Sequence, residues 1–254
     1  MFRLSKHCFL LYNTLQKGSV KMENRYASRI EKVQMSSIRV VMEKVEKLRS
    51  QGKSVVSLCA GEPDFNTPEG IKKATIEALN DNQTHYSSNR GYLGLRKKVA
   101  HLLKEQTTID YDSDTEIIMT CGCSEAINNV CQAFINKDDE VIIFTPAFVS
   151  YQNTVLLCQG IPVEIPLKLS LGFQIDIEEV KNKITKKTKM IILNNPNNPT
   201  GAVYQKETLE QLCKLARENN ILILADEIYN QLDYENQYVS IASFENMKDY
   251  TIIV

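Results

Sequence analysis

The chain has 254 residues, of which 43% are hydrophobic, and a formal net charge of −1 with acidic and basic side chains interspersed. This length suits one large domain, or a large domain with part of another, and the balanced charge gives no general attraction to nucleic acid or membrane surfaces. No apolar run is long enough to cross a membrane, so neither a nucleic-acid nor a membrane partner is expected.

The seven cysteines and three histidines do not show metal-ligand spacings. No CxxC pair occurs, and cysteines in apolar segments indicate a reducing, intracellular compartment. Asp110, Asp112 and Asp114 begin like a calcium loop, but Thr115 and Cys121 stand where an EF-hand needs Gly and Glu. The sequence therefore predicts no metal site.

Residues 1–22 form an N-terminal extension that is basic, with no acidic residue before Glu23. This composition is typical of a mitochondrial presequence, and an upstream start codon, with Met22 as the true first residue, explains it equally. Both interpretations stay open, so a cytoplasmic or a mitochondrial location is expected.

An apolar stripe then predicts a helix from Ala27 to Arg49, which Gly52 ends.

Strands and helices alternate through the rest of the chain. Thr67 and Pro68 predict a helix start, with Thr as the cap and Pro in the first position, and that helix reaches about Leu79. This alternation predicts an α/β layer architecture with a mainly parallel sheet. The predicted strands are 55–59, 117–120, 141–144, 161–165, 190–193, 221–225 and 250–254, and the other predicted helices are about 93–105, 121–135, 148 onwards and 205–219.

Polar loops follow two of these strands, at the point where each strand ends. Strand 190–193 leads into Asn194–Gly201, and strand 221–225, one helix later, leads into Asp226–Tyr229. Continuous apolar runs joined by one helix are typical of a buried parallel βαβ unit, and ligands bind at the carboxyl ends of such strands. One site built from both loops is therefore expected.

The loop motifs carry a family resemblance. Asn198-Pro199-Thr200-Gly201, followed after the next strand by Asp226-Glu227-Ile228-Tyr229, resembles the fold-type I pyridoxal-phosphate (PLP) aminotransferases of class I/II, in the aspartate, aromatic and alanine branch. The resemblance runs from about Tyr26 to Val254. It implies a three-layer α/β PLP-transferase large domain over 61–254, incomplete at its C-terminus, preceded by a segment, 23–60, that belongs to a small domain.

The resemblance implies pyridoxal 5'-phosphate as the cofactor. A buried carboxylate keeps the pyridine nitrogen of this cofactor protonated, and Asp226 is the candidate, although a strand-end Asp is otherwise an ordinary helix cap. Asn198 and Tyr229 are the implied donors to the phenolic oxygen, and Asn198 also faces the substrate. Asp226 and Tyr229 are thus the candidate catalytic residues.

Two further cofactor contacts are implied. Gly122, between a strand and a helix, leaves the N–H groups of Cys123 and Ser124 free for the phosphate, and the Ser124 hydroxyl can add a bond, although many tight turns have the same pattern. Phe148 lies where the family places an aromatic ring stacked on the pyridine; the alternative is a core aromatic residue.

The resemblance also implies roles for one tyrosine and one glycine outside these loops. Tyr86 matches a tyrosine that reaches the phosphate in the neighbouring subunit, so a homodimer is expected for the full-length form. Gly61 resembles the glycine whose backbone approaches the substrate carboxylate.

The sequence departs from the family at its end. The family's Schiff-base lysine lies a short way beyond the strand that ends here at Val254, and no lysine of this chain takes its place. We therefore expect the chain alone to be inactive and poorly soluble. The expected function is that of the N-terminal part of a PLP-dependent aminotransferase, which moves an amino group from an amino acid to a 2-oxo acid. A C–S lyase of the same fold, and a non-catalytic truncated isoform or fragment, are the alternatives.

Overall fold

A computed structural model describes residues 27–33, 37–59, 61 and 65–254. The predicted N-terminal extension, residues 1–22, lies outside the described residues. None of the described helices combines the length and apolar character needed to cross a bilayer. Within the same residues, His, Cys, Asp and Glu side chains do not gather in groups that could hold a metal ion.

The described part of the chain contains a five-stranded sheet in which every pair of neighbouring strands is parallel. The spatial order is β2-β1-β3-β4-β5, so the chain begins the sheet near one edge and then crosses to the other. The predicted α/β architecture with a mainly parallel sheet is confirmed. The strands are β1 (Glu140–Thr145), β2 (Ile161–Pro166), β3 (Thr188–Asn194), β4 (Leu222–Asp226) and β5 (Thr251–Ile253).

Helices connect and precede these strands. Short 3-10 turns lie at Ser28–Lys32, Leu169–Leu171, Asn230–Leu232, Ile241–Ser243 and Lys248–Tyr250. The α-helices of the described residues are α1 (Ser37–Ser50), α2 (Glu69–Asn80), α3 (Leu93–Thr107), α4 (Cys123–Phe134), α5 (Val149–Leu157), α6 (Ile177–Lys183) and α7 (Lys206–Glu218).

Two apolar cores lie on opposite faces of the sheet, because successive strand side chains point to opposite sides. One core packs α6 and α7 against Ile191 and Ile223, and the other packs α4 and α5 against Met190 and Ile192. Each fully buried Ile or Leu contributes about 1.5–3 kcal/mol to folding. Helices on both faces give the three-layer arrangement that the resemblance implied.

Four expectations from the sequence are wrong. Segments 55–59 and 117–120 are not strands, and Val56 and Leu58 are 85% and 92% exposed, because an apolar run becomes a strand only beside a neighbour that pairs with its backbone. The helix predicted from Ala27 is a 3-10 turn followed by α1, whose apolar residues Ile38, Val41 and Met42 are exposed. Helix α2 begins at Glu69 with Pro68 at the cap position, so Thr67 is not the cap.

The β3–α7–β4 unit sets the position of the site. The register pairs Asn194 at the end of β3 with Asp226 at the end of β4. Both residues therefore lie at the carboxyl edge of the sheet, near its middle, and the loops that follow them leave from the same place. This is the edge at which open parallel sheets bind ligands.

Candidate active site

Hydrogen bonds tie the two loops at this edge together. The Asn194 side-chain amide and the Asn195 backbone N–H both donate to the Asp226 carbonyl oxygen, at 3.0 and 3.1 Å. The Asn194 side-chain oxygen accepts in turn from the Asn198 backbone N–H at 2.7 Å. Asn194, which is buried, thus fixes the second loop and the start of Asn198 at the same time.

A tight turn directs the Asn198 side chain across the site. The Gly201 N–H donates to the Asn197 carbonyl at 2.8 Å, and Gly201 has a φ of +72°, a backbone conformation that glycine adopts at low cost. The Asn197 side-chain oxygen accepts from the Thr200 hydroxyl at 2.7 Å. The turn leaves the Asn198 amide free to donate to the Tyr229 hydroxyl at 3.2 Å. The predicted pair Asn198 and Tyr229 is therefore in contact.

Asp226 is the most strongly held polar group of the site. It is 4% exposed, and its Oδ2 accepts a 2.5 Å hydrogen bond from the Tyr151 hydroxyl while its Oδ1 accepts from the Ile228 N–H at 3.3 Å. Bonds to an ionised acceptor are short and strong, so this geometry suits a carboxylate.

The neighbours of Asp226 are held in their protonated forms. Burial, reinforced by the Asp226 charge, raises the pKa of Tyr151 above its ordinary value and raises the pKa of the Cys123 thiol to about 12. Both groups therefore stay neutral donors at physiological pH. Asp226 is the acid of this cluster, and a carboxylate is the charge that a cationic ring nitrogen requires.

A cavity of about 170 Å³ opens beside this cluster. It brings together five predicted site residues, Cys123, Ser124, Phe148, Asn198 and Tyr229, with the predicted catalytic carboxylate. Its walls are formed by Cys123, Ser124, Ile127, Phe148, Tyr151, Asn198, Asp226, Ile228 and Tyr229.

The start of α4 forms one end of the cavity. Gly122 precedes the helix with a φ of +83°, and its carbonyl accepts the first helical bonds, from the N–H groups of Glu125 and Ala126. The amides of Cys123 and Ser124 come before those bonds, in the first turn where helical N–H groups have no intrahelical partner. Such a helix start is suited to an anion.

Phe148 forms another wall. It stands at the N-cap position of α5 and is 36% exposed, so it is not the core aromatic residue of the alternative interpretation. Its ring meets that of Tyr151 edge-on, with centroids 5.8 Å apart and planes at 81°. The ring therefore has an exposed part beside the cavity while its edge contact fixes its direction.

Two predicted residues are not brought to this cavity. Gly61 is exposed, and the Tyr86 side chain is fully exposed in the loop after α2. Neither lines the cavity, so both assignments stay predictions. The sequence interpretation also missed Tyr151. The signal was present, since a residue three positions after Phe148 lies on the same face of a helix that begins there.

Comparison with known proteins identifies relatives of this chain. The family model described as Aminotransferase class I and II matches residues 53–254. A protein of Aquifex aeolicus named probable aspartate/prephenate aminotransferase is 37% identical over 235 residues, which cover 92% of this chain and 59% of the relative. The aromatic-amino-acid aminotransferase 2 of Thermococcus litoralis is 40% identical over 227 residues, or 89% of this chain and 57% of the relative.

Solved structures agree with this grouping. The Thermus thermophilus aspartate aminotransferase with maleate superposes with a TM-score of 0.86 at 37% identity, covering 90% of this chain and 59% of that protein. The chain thus spans about three fifths of the length of these relatives. Aminotransferases of class I and II generally depend on PLP. Because the family match covers most of the sequence and includes every residue that lines the cavity, the chain belongs to the aminotransferase class I and II family.

Proposed function

We propose that the cavity binds pyridoxal 5'-phosphate and that this chain supplies the cofactor-holding part of an aminotransferase, which moves an amino group from an amino acid to a 2-oxo acid. The observation that carries the proposal is the buried Asp226 carboxylate, held by the Tyr151 hydroxyl at 2.5 Å and facing a cavity shared with Asn198 and Tyr229.

The residues present suit this cofactor on chemical grounds. A pyridinium nitrogen needs a buried carboxylate, an oxyanion on the ring needs neutral donors, and a phosphate needs unpaired N–H groups. Asp226 meets the first need, and the contacting pair Asn198 and Tyr229 meets the second. The first turn of α4, with the amides of Cys123 and Ser124, meets the third.

The residues that line the cavity would play different roles toward the bound cofactor. When bound, the cofactor supplies an electron sink at its pyridine ring. Asp226 would keep a proton on the ring nitrogen, and the hydrogen bond from Tyr151 would fix the direction of the Asp226 carboxyl group. Phe148 would cover one face of the ring and exclude water from it. No lysine lines the described cavity, so the proposal covers the groups that hold the cofactor and not the complete catalytic set.

Substrates, partner and domain organisation belong to the same proposal. We propose an amino acid and a 2-oxo acid as substrates, with Asn198 and the Gly61 backbone as their contacts, and a homodimer in which Tyr86 serves the neighbouring subunit. The full exposure of Tyr86 is compatible with that role. We also propose that 61–254 forms the large domain and that 23–60 belongs to a small domain, because the apolar side chains of Val56 and Leu58 are exposed.

Calorimetric titration with PLP tests the cofactor assignment. The wild-type protein is compared with Asp226→Asn and with the control Asp249→Asn, which changes an exposed acid that does not line the cavity. Loss of a charged hydrogen-bond partner should weaken PLP binding by about tenfold or more in Asp226→Asn, while the control binds like wild type. Absence of PLP binding to the wild-type protein would overturn the proposal.

Amino-group transfer tests the reaction class. The protein at its natural length is incubated with PLP, 2-oxoglutarate and each of aspartate, phenylalanine and alanine, and glutamate formation is measured. Glutamate formed from any of the donors supports the proposal. Release of pyruvate and ammonia from a cysteine-type substrate, without glutamate from any donor, would favour the C–S lyase instead.

A further inference from the structure

Glu227 is a buried acid that the proposed chemistry does not use. It follows Asp226 directly, yet it does not line the cavity, and it is 7% exposed. Successive residues of an extended strand point to opposite sides. Asp226 therefore contacts Tyr151 on the cavity side, whereas the Glu227 side chain turns to the Ser240 hydroxyl, which donates to its Oε1 at 2.8 Å.

The partner of Glu227 is itself fixed. Ser240 is 4% exposed and precedes the short 3-10 turn Ile241–Ser243, in which Ile241 is part of the apolar core. The Ser243 hydroxyl and N–H both donate to the Ser240 carbonyl, at 2.6 and 3.1 Å. The Ser240 hydroxyl is thus presented to Glu227 from a packed segment and not from a free loop.

The backbone of Glu227 is held as firmly as its side chain. Its N–H donates to the Val254 carbonyl at 3.0 Å, which joins the end of β4 to the end of β5. Its carbonyl accepts from the Asn230 N–H at 3.0 Å, which closes the turn that carries Tyr229. Glu227 therefore connects the turn between Asp226 and Asn230 to β5 and to Ser240.

We propose that Glu227 is a positioning residue, which fixes the directions of Asp226 and Tyr229 by joining their turn to Ser240. The inference rests on the proposed function, since it concerns how the cofactor-holding groups are directed. A buried hydrogen bond to a carboxyl group is suited to this task, because losing one partner leaves the other unsatisfied and frees the turn.

Burial is the main influence on the ionisation of the Glu227 carboxyl group. Burial raises the pKa of Glu227 above its ordinary value of 4.5, hydrogen bonding to Tyr238, Ser240 and the Ile241 backbone opposes this rise, and the adjacent Asp226 charge adds to it. The Glu227 carboxyl group, which lies behind the turn, serves as its hydrogen-bonding anchor.

The test measures PLP dissociation constants for wild type, Glu227→Ala, Glu227→Gln and Ser240→Ala. Glu227→Ala should weaken PLP binding by about tenfold and shift the absorbance maximum of bound PLP, because the turn loses its anchor. Glu227→Gln keeps an oxygen that accepts from Ser240 and should bind PLP within about threefold of wild type. Ser240→Ala should weaken binding in the same direction as Glu227→Ala.

A remote core variant separates positioning from general loss of stability. Val180→Ala, on α6, removes fully buried methyl groups from the core on the face of the sheet opposite the cavity. It should lower the melting temperature without changing the PLP dissociation constant. If wild type binds PLP and Asp226→Asn does not, but Glu227→Ala binds as wild type does, the positioning role is refuted while the proposed function stands. If Glu227→Gln fails to restore the Glu227→Ala defect, the role is refuted as well. If the wild-type protein does not bind PLP, the proposed function is overturned, and the positioning role is overturned with it.

Discussion

Replacing Tyr151 with phenylalanine removes one hydroxyl group and keeps the ring. That hydroxyl makes the 2.5 Å bond to Asp226 in a site where both residues are nearly inaccessible, at 2% and 4% exposure. A hydrogen bond to a charged group contributes about 1.5–3 kcal/mol to folding, and removing the donor leaves the Asp226 Oδ2 without this bond. We expect Tyr151→Phe to lower the free energy of unfolding by about 1.5–3 kcal/mol, or about tenfold to a hundredfold in the folding equilibrium.

The assay is urea unfolding followed by circular dichroism, since the chain contains no tryptophan to serve as a fluorescent probe. Tyr204→Phe is the matched control. Tyr204 is 1% exposed, and its hydroxyl has no hydrogen-bond partner within the described chain. The side-chain oxygen of the neighbouring Asn197 accepts a hydrogen bond from Thr200 instead. That control should change the free energy of unfolding by less than about 1 kcal/mol. An equal loss in the two variants would refute the assignment of a charged hydrogen bond to Tyr151 and Asp226.

Three further outcomes follow from the geometry. Tyr229→Phe removes the acceptor of the 3.2 Å bond from Asn198 and should weaken PLP binding by about tenfold, measured by calorimetry, with little change in melting temperature because Tyr229 is only partly buried. Iodoacetamide at about pH 8 should label the exposed Cys121 well before Cys123, whose pKa of about 12 leaves almost no thiolate; peptide mass mapping that shows Cys123 modified first would contradict this. Because burial raises the pKa of Glu227, its contribution to stability is complete below about pH 4.5 and is lost as pH rises through the folded pKa. Glu227→Gln should therefore lose less stability than wild type between acidic and neutral pH in urea titrations, and parallel curves would be evidence against the raised pKa.

The central strands were predictable from the sequence because their apolar runs are long and buried on both faces. The predicted strands 190–193 and 221–225 correspond to β3 and β4, whose side chains fill both cores. The same reasoning failed for 55–59 and 117–120. An apolar run alone does not show whether another strand lies beside it, and Ile118 is 64% exposed. Pairing is a tertiary property that a local pattern does not contain.

The site could be predicted as far as adjacent strand ends determine it. Asp226 and Asn198 line the same cavity because two parallel strands finish at one edge, which the order of strands and loops already implied. Tyr151 and Glu227 were missed for different reasons. The Tyr151 bond to Asp226 spans 75 positions and depends on how α5 lies on the sheet. The Glu227 contact with Ser240 depends on a loop without periodic sequence signals.

We propose that Asp226 holds a proton on the ring nitrogen of bound PLP. Nitrogen-15 NMR of PLP labelled at that nitrogen, bound to the wild-type protein at neutral pH, tests it directly, because the chemical shifts of protonated and unprotonated pyridine nitrogens are well separated. We expect the chemical shift of a protonated pyridine nitrogen in the wild-type complex. An unprotonated signal from bound PLP in that complex would contradict it.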